Sequence, residues 1–241
     1  MPPLLSIITV TLNCVSTLEK TLRSVQAIKT DEMEYIIVDG VSTDGTLKLI
    51  KDYDELIDIL HSERDEGIYN AMNKGVALAR GDYVLFINGD DELIADGFTT
   101  VTQALRKKAG EVVCATTVVG NADFPDETLV AIPWRLSFFN SVPHPSSFVA
   151  RSLLLAHPFR EDLSIASDYE FFLAAYLQKR SFLVLRAVTA LHHRGGASAN
   201  TQKSADESES IRREYLHWRY PLLNCLQNIY RSLKSVLRSF S

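Results

Sequence analysis

No apolar run in the sequence approaches the ~20 residues that a membrane-spanning helix requires, so the chain is not expected to cross a bilayer. Met1-Pro2-Pro3 leads straight into an apolar stretch, without the charged leader and small-residue cleavage site of a secretory signal, and none is expected. Cysteine is scarce. Cys14, Cys114 and Cys225 are odd in number, far apart and without CxxC spacing. That excludes a disulfide framework or a zinc site and suits a reducing cytoplasm. The glycine-rich phosphate cradles GxGxxG and GxxxxGK[ST] are also missing, so a nucleotide bound here needs another grip. Positive charge is short in most of the chain. The net charge is −5, but residues 211–241 carry six Lys/Arg against the single acid Glu214. The first 210 residues therefore sum to −10, an acidic body that does not suit nucleic-acid binding.

Apolar residues make up 46% of the 241, enough for one large domain with a packed core, or one domain with an appendage. A first strand is expected over residues 5–12. Ser16 and Glu19 have the spacing of a capping box at the start of a helix whose apolar face is Leu18, Leu22 and Val25. Residues 35–38 form a second strand ending in Asp39-Gly40, and a helix carrying Leu47 and Ile50 follows a polar turn. Residues 57–60 give a short third strand. Ile68, Met72, Val76 and Ala79 mark a helix ahead of a strand over residues 83–87. Strand alternating with helix at this rhythm predicts an α/β fold with a parallel sheet covered on both faces.

In such sheets ligands gather beyond the carboxyl ends of the strands. Asn13, Asp39 and Asn88-Gly89-Asp90-Asp91 each follow a strand directly and should meet at one edge. Two adjacent carboxylates repel each other unless a positive group intervenes. A divalent cation with hard oxygen ligands, completed by a diphosphate, is one solution; two solvated aspartates in a turn are the other.

The second half is less regular. Phe98, Val101 and Leu105 suggest a helix, and residues 111–119 a strand. Residues 120–133 have loop composition, and Pro143-His144-Pro145-Ser146-Ser147 reads as a rigid turn. Ser167-Asp168 precedes an apolar helix over residues 169–177 and admits a helix cap as well as a functional reading. A last strand over residues 182–191 runs into His192-His193. Residues 200–210 read as a polar linker. Beyond it Leu222, Leu226, Ile229, Leu233, Val236 and Phe240 form an apolar stripe, with Arg231, Lys234 and Arg238 off it. Such a basic amphipathic helix suits an anionic membrane surface, or docks on the body or on a second protomer. The division expected is a domain over residues 1–205 and a linker with helical tail over residues 206–241.

These pieces together resemble the family-2 inverting glycosyltransferases of the GT-A fold over about residues 4–200. The resemblance rests on the first strand through Asn13, on Val38-Asp39-Gly40 with residues 42–46, and on Asn88-Gly89-Asp90-Asp91. Most diagnostic is the run over residues 62–75, SERDEGIYNAMNKG, which is similar to the SExDxGIYDAMNKG signature of bacterial enzymes that build exopolysaccharide, O-antigen or colanic-acid-like glycans. The resemblance implies that Thr11, Asn13 and Asp39 hold the nucleobase, with Asp65 near the nucleotide. It places Asp90 in the metal-binding position of a DxD motif, with Asn88 and Asp91 beside it. Asp168 falls where the family has its acceptor-activating carboxylate. His193, or His192, falls where some members supply a further metal or diphosphate ligand. Asn88 departs from the first aspartate of DxD, Asn70 from an aspartate and Arg64 from a proline.

The function expected is transfer of a sugar from a nucleoside-diphosphate sugar, with a UDP-sugar favoured, to a hydroxyl of a glycan or lipid-linked acceptor. It would be assisted by Mn²⁺ or Mg²⁺, at the cytoplasmic face of the cell membrane. A nucleotidyltransferase on a related sheet is the alternative, although the glycine- and basic-rich loop of that class is not supplied by Thr11-Leu12-Asn13-Cys14. A catalytically silent protein of the same fold would be expected to have lost one of Asp39, Asp90, Asp91 or Asp168, and all four are present.

Overall fold

The computed structural model describes residues 2–120, 125–193, 201–227 and 229. Its first half alternates as expected: β1 (Leu5–Thr11), α1 (Val15–Ile28), β2 (Met33–Asp39), α2 (Thr46–Lys51), β3 (Ile59–Ser62), α3 (Ile68–Leu78) and β4 (Tyr83–Phe86). The order β3-β2-β1-β4 is parallel throughout. Successive residues of these strands point to opposite faces, and both faces are apolar. Ile8, Ile36, Val38, Val84 and Phe86 pack under α3 on one side. Leu5, Ile7, Ile37, Leu85 and Ile87 meet Leu18, Leu22 and Val25 of α1 on the other. Each such fully buried side chain stabilises the fold by roughly 1.5–3 kcal/mol relative to exposure.

From β4 onward the sheet becomes mixed. The chain continues through β5 (Glu92–Leu93), α4 (Phe98–Arg106), β6 (Val112–Gly120), β7 (Pro125–Val130), β8 (Ser147–Ala150), α5 (Arg151–Ala156), α6 (Ser167–Leu177), β9 (Phe182–His192) and α7 (Thr201–Leu216). β8 inserts antiparallel between β4 and β6, while β6 and β9 run parallel. This is the GT-A architecture, a curled mixed sheet between helical layers.

Four expectations are corrected. The capping box does not form. α1 starts at Val15 with no side-chain bond from Cys14, and Glu19 turns instead to Arg23. The free amides at this helix start are taken from a distance: Val15 N donates to Asp44 Oδ2 (3.1 Å), Cys14 N to Thr46 Oγ1 (2.9 Å) and Asn13 N to Ser42 Oγ (2.8 Å). Asp44 Oδ1 also accepts Thr46 N (2.9 Å) at the head of α2, so one carboxylate serves two helix starts. Second, residues 125–130, expected within a loop, pair antiparallel with β6 from Thr116↔Val130 onward. Pro125 is tolerated there as the first residue of an edge strand. Third, the helix-cap reading of Ser167 or Asp168 fails, because α6 begins after Ala166 and neither side chain caps it. Ser167 Oγ instead accepts Arg160 N (2.6 Å).

The fourth is the polar linker: residues 201–216 are helix α7. Only a narrow face of this helix is apolar, with Ile211 and Leu216 buried. Its polar side chains find partners on the body instead. Glu214 pairs with Arg160 (2.7 Å), and the Tyr215 hydroxyl donates to buried Glu170. α6 itself is apolar nearly all round, as a helix covered on every side must be.

Candidate active site

The registers set the carboxyl edge of the parallel strands. β1 aligns Thr11 with Asp39, and β2 aligns Asp39 with Ser62, so three polar residues stand in a row at one level of the sheet. Asp39 is fully buried and accepts four hydrogen bonds: Thr11 Oγ1 (3.0 Å), Ser42 Oγ (2.6 Å), Ser42 N (2.9 Å) and Ser62 Oγ (3.0 Å). Hydrogen bonds to a charged group contribute about 1.5–3 kcal/mol each, so this network fixes the rim. Asp39, expected to hold the nucleobase, is thus buried and bonded to Thr11, Ser42 and Ser62.

A cleft of about 1080 Å³ opens along this edge. Thr11, Asn13 and Asp65 line one end. Asn13 holds a left-handed backbone (φ 50°) and accepts Thr43 N on its Oδ1 (2.8 Å). Asp65 lies against Gly40, where an added Cβ would stand 2.4 Å from its Oδ2. The signature residues mostly build walls. Lys74 pairs with Glu63 (2.6 Å) and donates to Arg64 O (2.9 Å), while Asn70 and Asn73 both donate to Glu161 (2.9 Å each). Cys14 also lines the cleft, but burial pushes its thiol up to about 11, so it is no thiolate nucleophile.

Asn88 and Asp90 also line the cleft. Burial raises the Asp90 carboxyl above its ordinary range, and the neighbouring Asp91 charge pushes the same way. Asp91 itself is fully buried. Its Oδ1 accepts His192 Nδ1 (2.8 Å) and His193 N (3.1 Å). This bond raises the His192 pKa against the opposing effect of burial. The His193 ring turns its Nε2 onto Glu92 (2.7 Å). Asp91 and His193, expected with Asp90 as metal ligands, are bonded to His192 and Glu92 in this structure. Among the described residues no three His, Cys, Asp or Glu side chains form a ready metal cage. Only Asp90 and His192 of this group face the cleft. Buried Asn88 Oδ1 and Asp91 Oδ2 lack hydrogen-bond partners, which leaves acceptor capacity at this spot. Such a donor set fits a cation that takes one carboxylate from the protein and its other ligands from a diphosphate.

Asp168 lines the far wall. The Tyr69 hydroxyl donates to Ile165 O (2.6 Å) and lies 3.3 Å from Asp168 Oδ1. His144 joins this wall, packed against Phe86, Phe159 and Phe172. Burial lowers its pKa, and its Nε2 has no hydrogen-bond partner. Arg135 and Phe139 complete the rim, with the Arg135 guanidinium 5.2 Å from the exposed Trp134 ring. Tyr69, Arg135 and Phe139 escaped the sequence reading as wall-forming groups. Tyr69 sits inside the signature, and that position was the one signal available for it.

The cleft lies at the carboxyl edge of an α/β sheet and is lined by the carboxylates of Asp65, Asp90 and Asp168. The model of the family Glycosyl transferase family 2 matches residues 6–154, and the chain belongs to that family and is a glycosyltransferase. It is 30% identical over 228 residues to an uncharacterized glycosyltransferase of Mycobacterium tuberculosis, covering 91% of this chain and 86% of that protein. It is 29% identical over 208 residues to a PGL/p-HBAD biosynthesis glycosyltransferase of Mycobacterium bovis, covering 83% and 80%. Among solved structures, S. aureus TarS in complex with UDP-GlcNAc superposes with a TM-score of 0.68 at 19% identity, over 90% of this chain and 72% of that one. The mannosyltransferase PcManGT from Pyrobaculum calidifontis, in complex with GDP-Man and Mn²⁺, gives 0.67 at 16% identity, over 98% and 76%. At these identities the two structures speak for the fold.

Proposed function

We propose that the protein transfers a sugar, with inversion, from a nucleoside-diphosphate sugar to a hydroxyl of a glycan or lipid-linked acceptor in surface-polysaccharide synthesis, with a UDP-sugar as the favoured donor. The observation that carries this is that one cleft is lined by Thr11, Asn13, Asp65, Asn88, Asp90 and Asp168 together. Thr11, Asn13 and Asp65 hold the nucleoside; Asp39 secures the loops around it. Asn88 and Asp90 receive the diphosphate side, and Asp90 holds a divalent cation, Mn²⁺ or Mg²⁺. When bound, that cation supplies Lewis-acid stabilisation of the departing diphosphate. Asp168 takes the proton of the attacking hydroxyl, and Tyr69 fixes the orientation of its carboxylate. Arg135, Phe139 and His144 face the acceptor.

The metal-dependent donor site is tested by thermal shift with UDP or GDP, with and without Mn²⁺. A nucleotide present at a hundred times its dissociation constant is expected to add ~2.7 kcal/mol. No metal-dependent shift with either nucleotide removes this reading.

The tail reading is refined by its exposure. α7 is docked on the body, whereas Trp218 (80%), Leu222 (65%), Leu226 (47%) and Ile229 (51%) face outward. Leu233, Val236 and Phe240 lie outside the described residues. Among the described residues no helix is long and apolar enough to span a membrane. An aromatic and aliphatic face beside Arg213 and Arg219 suits an anionic interface, and we place the protein peripherally on the inner face of the membrane. Deleting residues 218–241 is expected to release it from anionic liposomes; unchanged sedimentation with them sinks the assignment.

A further inference from the structure

Three consecutive backbone amides in the wall of the cleft are held by one side chain from α7. Glu207 Oε1 accepts Ser164 N (3.0 Å), and its Oε2 accepts Ile165 N (2.9 Å) and Ala166 N (3.0 Å). Lys203, on the same helix, donates to Ser164 Oγ (2.8 Å). These amides immediately precede α6, whose first turn carries Asp168 and whose start has no side-chain cap of its own. The other side of the segment is held by the Tyr69 hydroxyl, on Ile165 O and on Asp168. Ser164, Ile165, Tyr69 and Asp168 all line the cleft.

We propose that Glu207 is a positioning residue for the acceptor-activating carboxylate: it clamps residues 164–166 against Tyr69 and so fixes Asp168 where the acceptor hydroxyl arrives. The proposal rests on the reading of Asp168 as the base. The physical reason is geometric. Without the carboxylate, three amides in the wall lose their acceptor, and the segment keeps Tyr69, the Ser164 side chain and the core packing of Ala166. A displacement of about 1 Å at a reacting group costs on the order of 10²-fold in rate. α7 stays docked without Glu207, because Glu214 with Arg160 and Tyr215 with Glu170 still hold it.

The test compares Glu207→Ala, Glu207→Gln, Asp168→Asn and the Glu207→Ala/Asp168→Asn pair in the full chain, with Glu209→Gln on the same helix as control. The readouts are kcat, donor KM and melting temperature. Glu207→Ala is expected to lower kcat about ten- to a hundredfold with donor KM changed less than about twofold. Glu207→Gln, which keeps a carbonyl acceptor, recovers part of the loss, and Glu209→Gln behaves as the parent. On the Asp168→Asn background Glu207→Ala adds nothing, because both act through one group. Parent-like kcat in Glu207→Ala beside an impaired Asp168→Asn overturns the clamp alone. So does a loss that adds in full to that of Asp168→Asn, or a lowered melting temperature with kcat intact. Full activity of Asp168→Asn, read from that variant by itself, overturns the base assignment on which the clamp depends.

Discussion

The two ends of the cleft are built in different ways. At the donor end, polar side chains follow parallel strands directly, and adjacent strands deliver Thr11, Asp39 and Ser62 to one level. Their bonds close over 23 to 28 residues, and the Asp39 carboxylate is saturated. At the other end, Asp168 is bonded to Tyr69, 99 residues earlier, and follows a segment whose amides are held by Glu207, 41 to 43 residues later. The sheet there is mixed, and His144 Nε2 is left without a partner. The donor end is thus a rigid ledge fixed by register. The acceptor end is a wall assembled from distant pieces, with hydrogen-bonding capacity to spare.

The widest contrast is expected from Asp168→Asn. Transfer activity should fall about 10²- to 10⁴-fold, while the nucleotide-dependent thermal shift and the fold persist. A simultaneous loss of nucleotide binding would show that the two ends are not independent. Next comes the stiffness of the parallel half. Buried Glu34 accepts Ser6 Oγ (2.6 Å) and Arg80 N (2.6 Å) and pairs with Arg80 (2.8 Å). Burial raises its pKa, but these bonds outweigh that effect and hold the carboxyl below its ordinary 4.5. Its contribution is therefore present above about pH 4.5 and lost as pH falls through the lower folded value. Glu34→Gln should cost roughly 2 kcal/mol at neutral pH. In denaturant melts its gap to the parent should close on acidification below pH 4.5; a gap independent of pH would break the assignment. The smallest effect is expected at Gly40→Ala. The new Cβ would press on Asp65 Oδ2, the movable end of a side chain, so the fold tolerates it and Asp65 shifts. Loss of one polar contact of about 1.4 kcal/mol corresponds to a tenfold rise in donor KM with kcat little changed. A fall in kcat with KM unchanged would place Asp65 in the chemistry instead.

The same contrast explains what could be read from residues alone. The parallel strands and the cleft-facing positions of Asn13, Asp65, Asn88 and Asp90 follow from apolar runs, a strand-end rule and a signature, all local in the chain. The capping box failed because α1 starts ahead of Ser16, at Val15, whose amide is taken by Asp44 from 29 residues away. Asp91 and His193 were expected as ligands, and pairing with His192 and Glu92 is settled by β5 against β9, a contact across about 100 residues. β7 was hidden by a loop-like composition, and α7 by a polar surface whose partners lie on residues 160–170.

That late position of α7 bears on the order of synthesis. A chain emerging from the ribosome can close the β1-to-β4 sheet, with its nucleoside ledge, when little more than its first third has been made. The clamp on residues 164–166 must wait for residue 207. Until then a nascent molecule has the ledge of Thr11, Asp39 and Ser62 but lacks the side chain that secures residues 164–166.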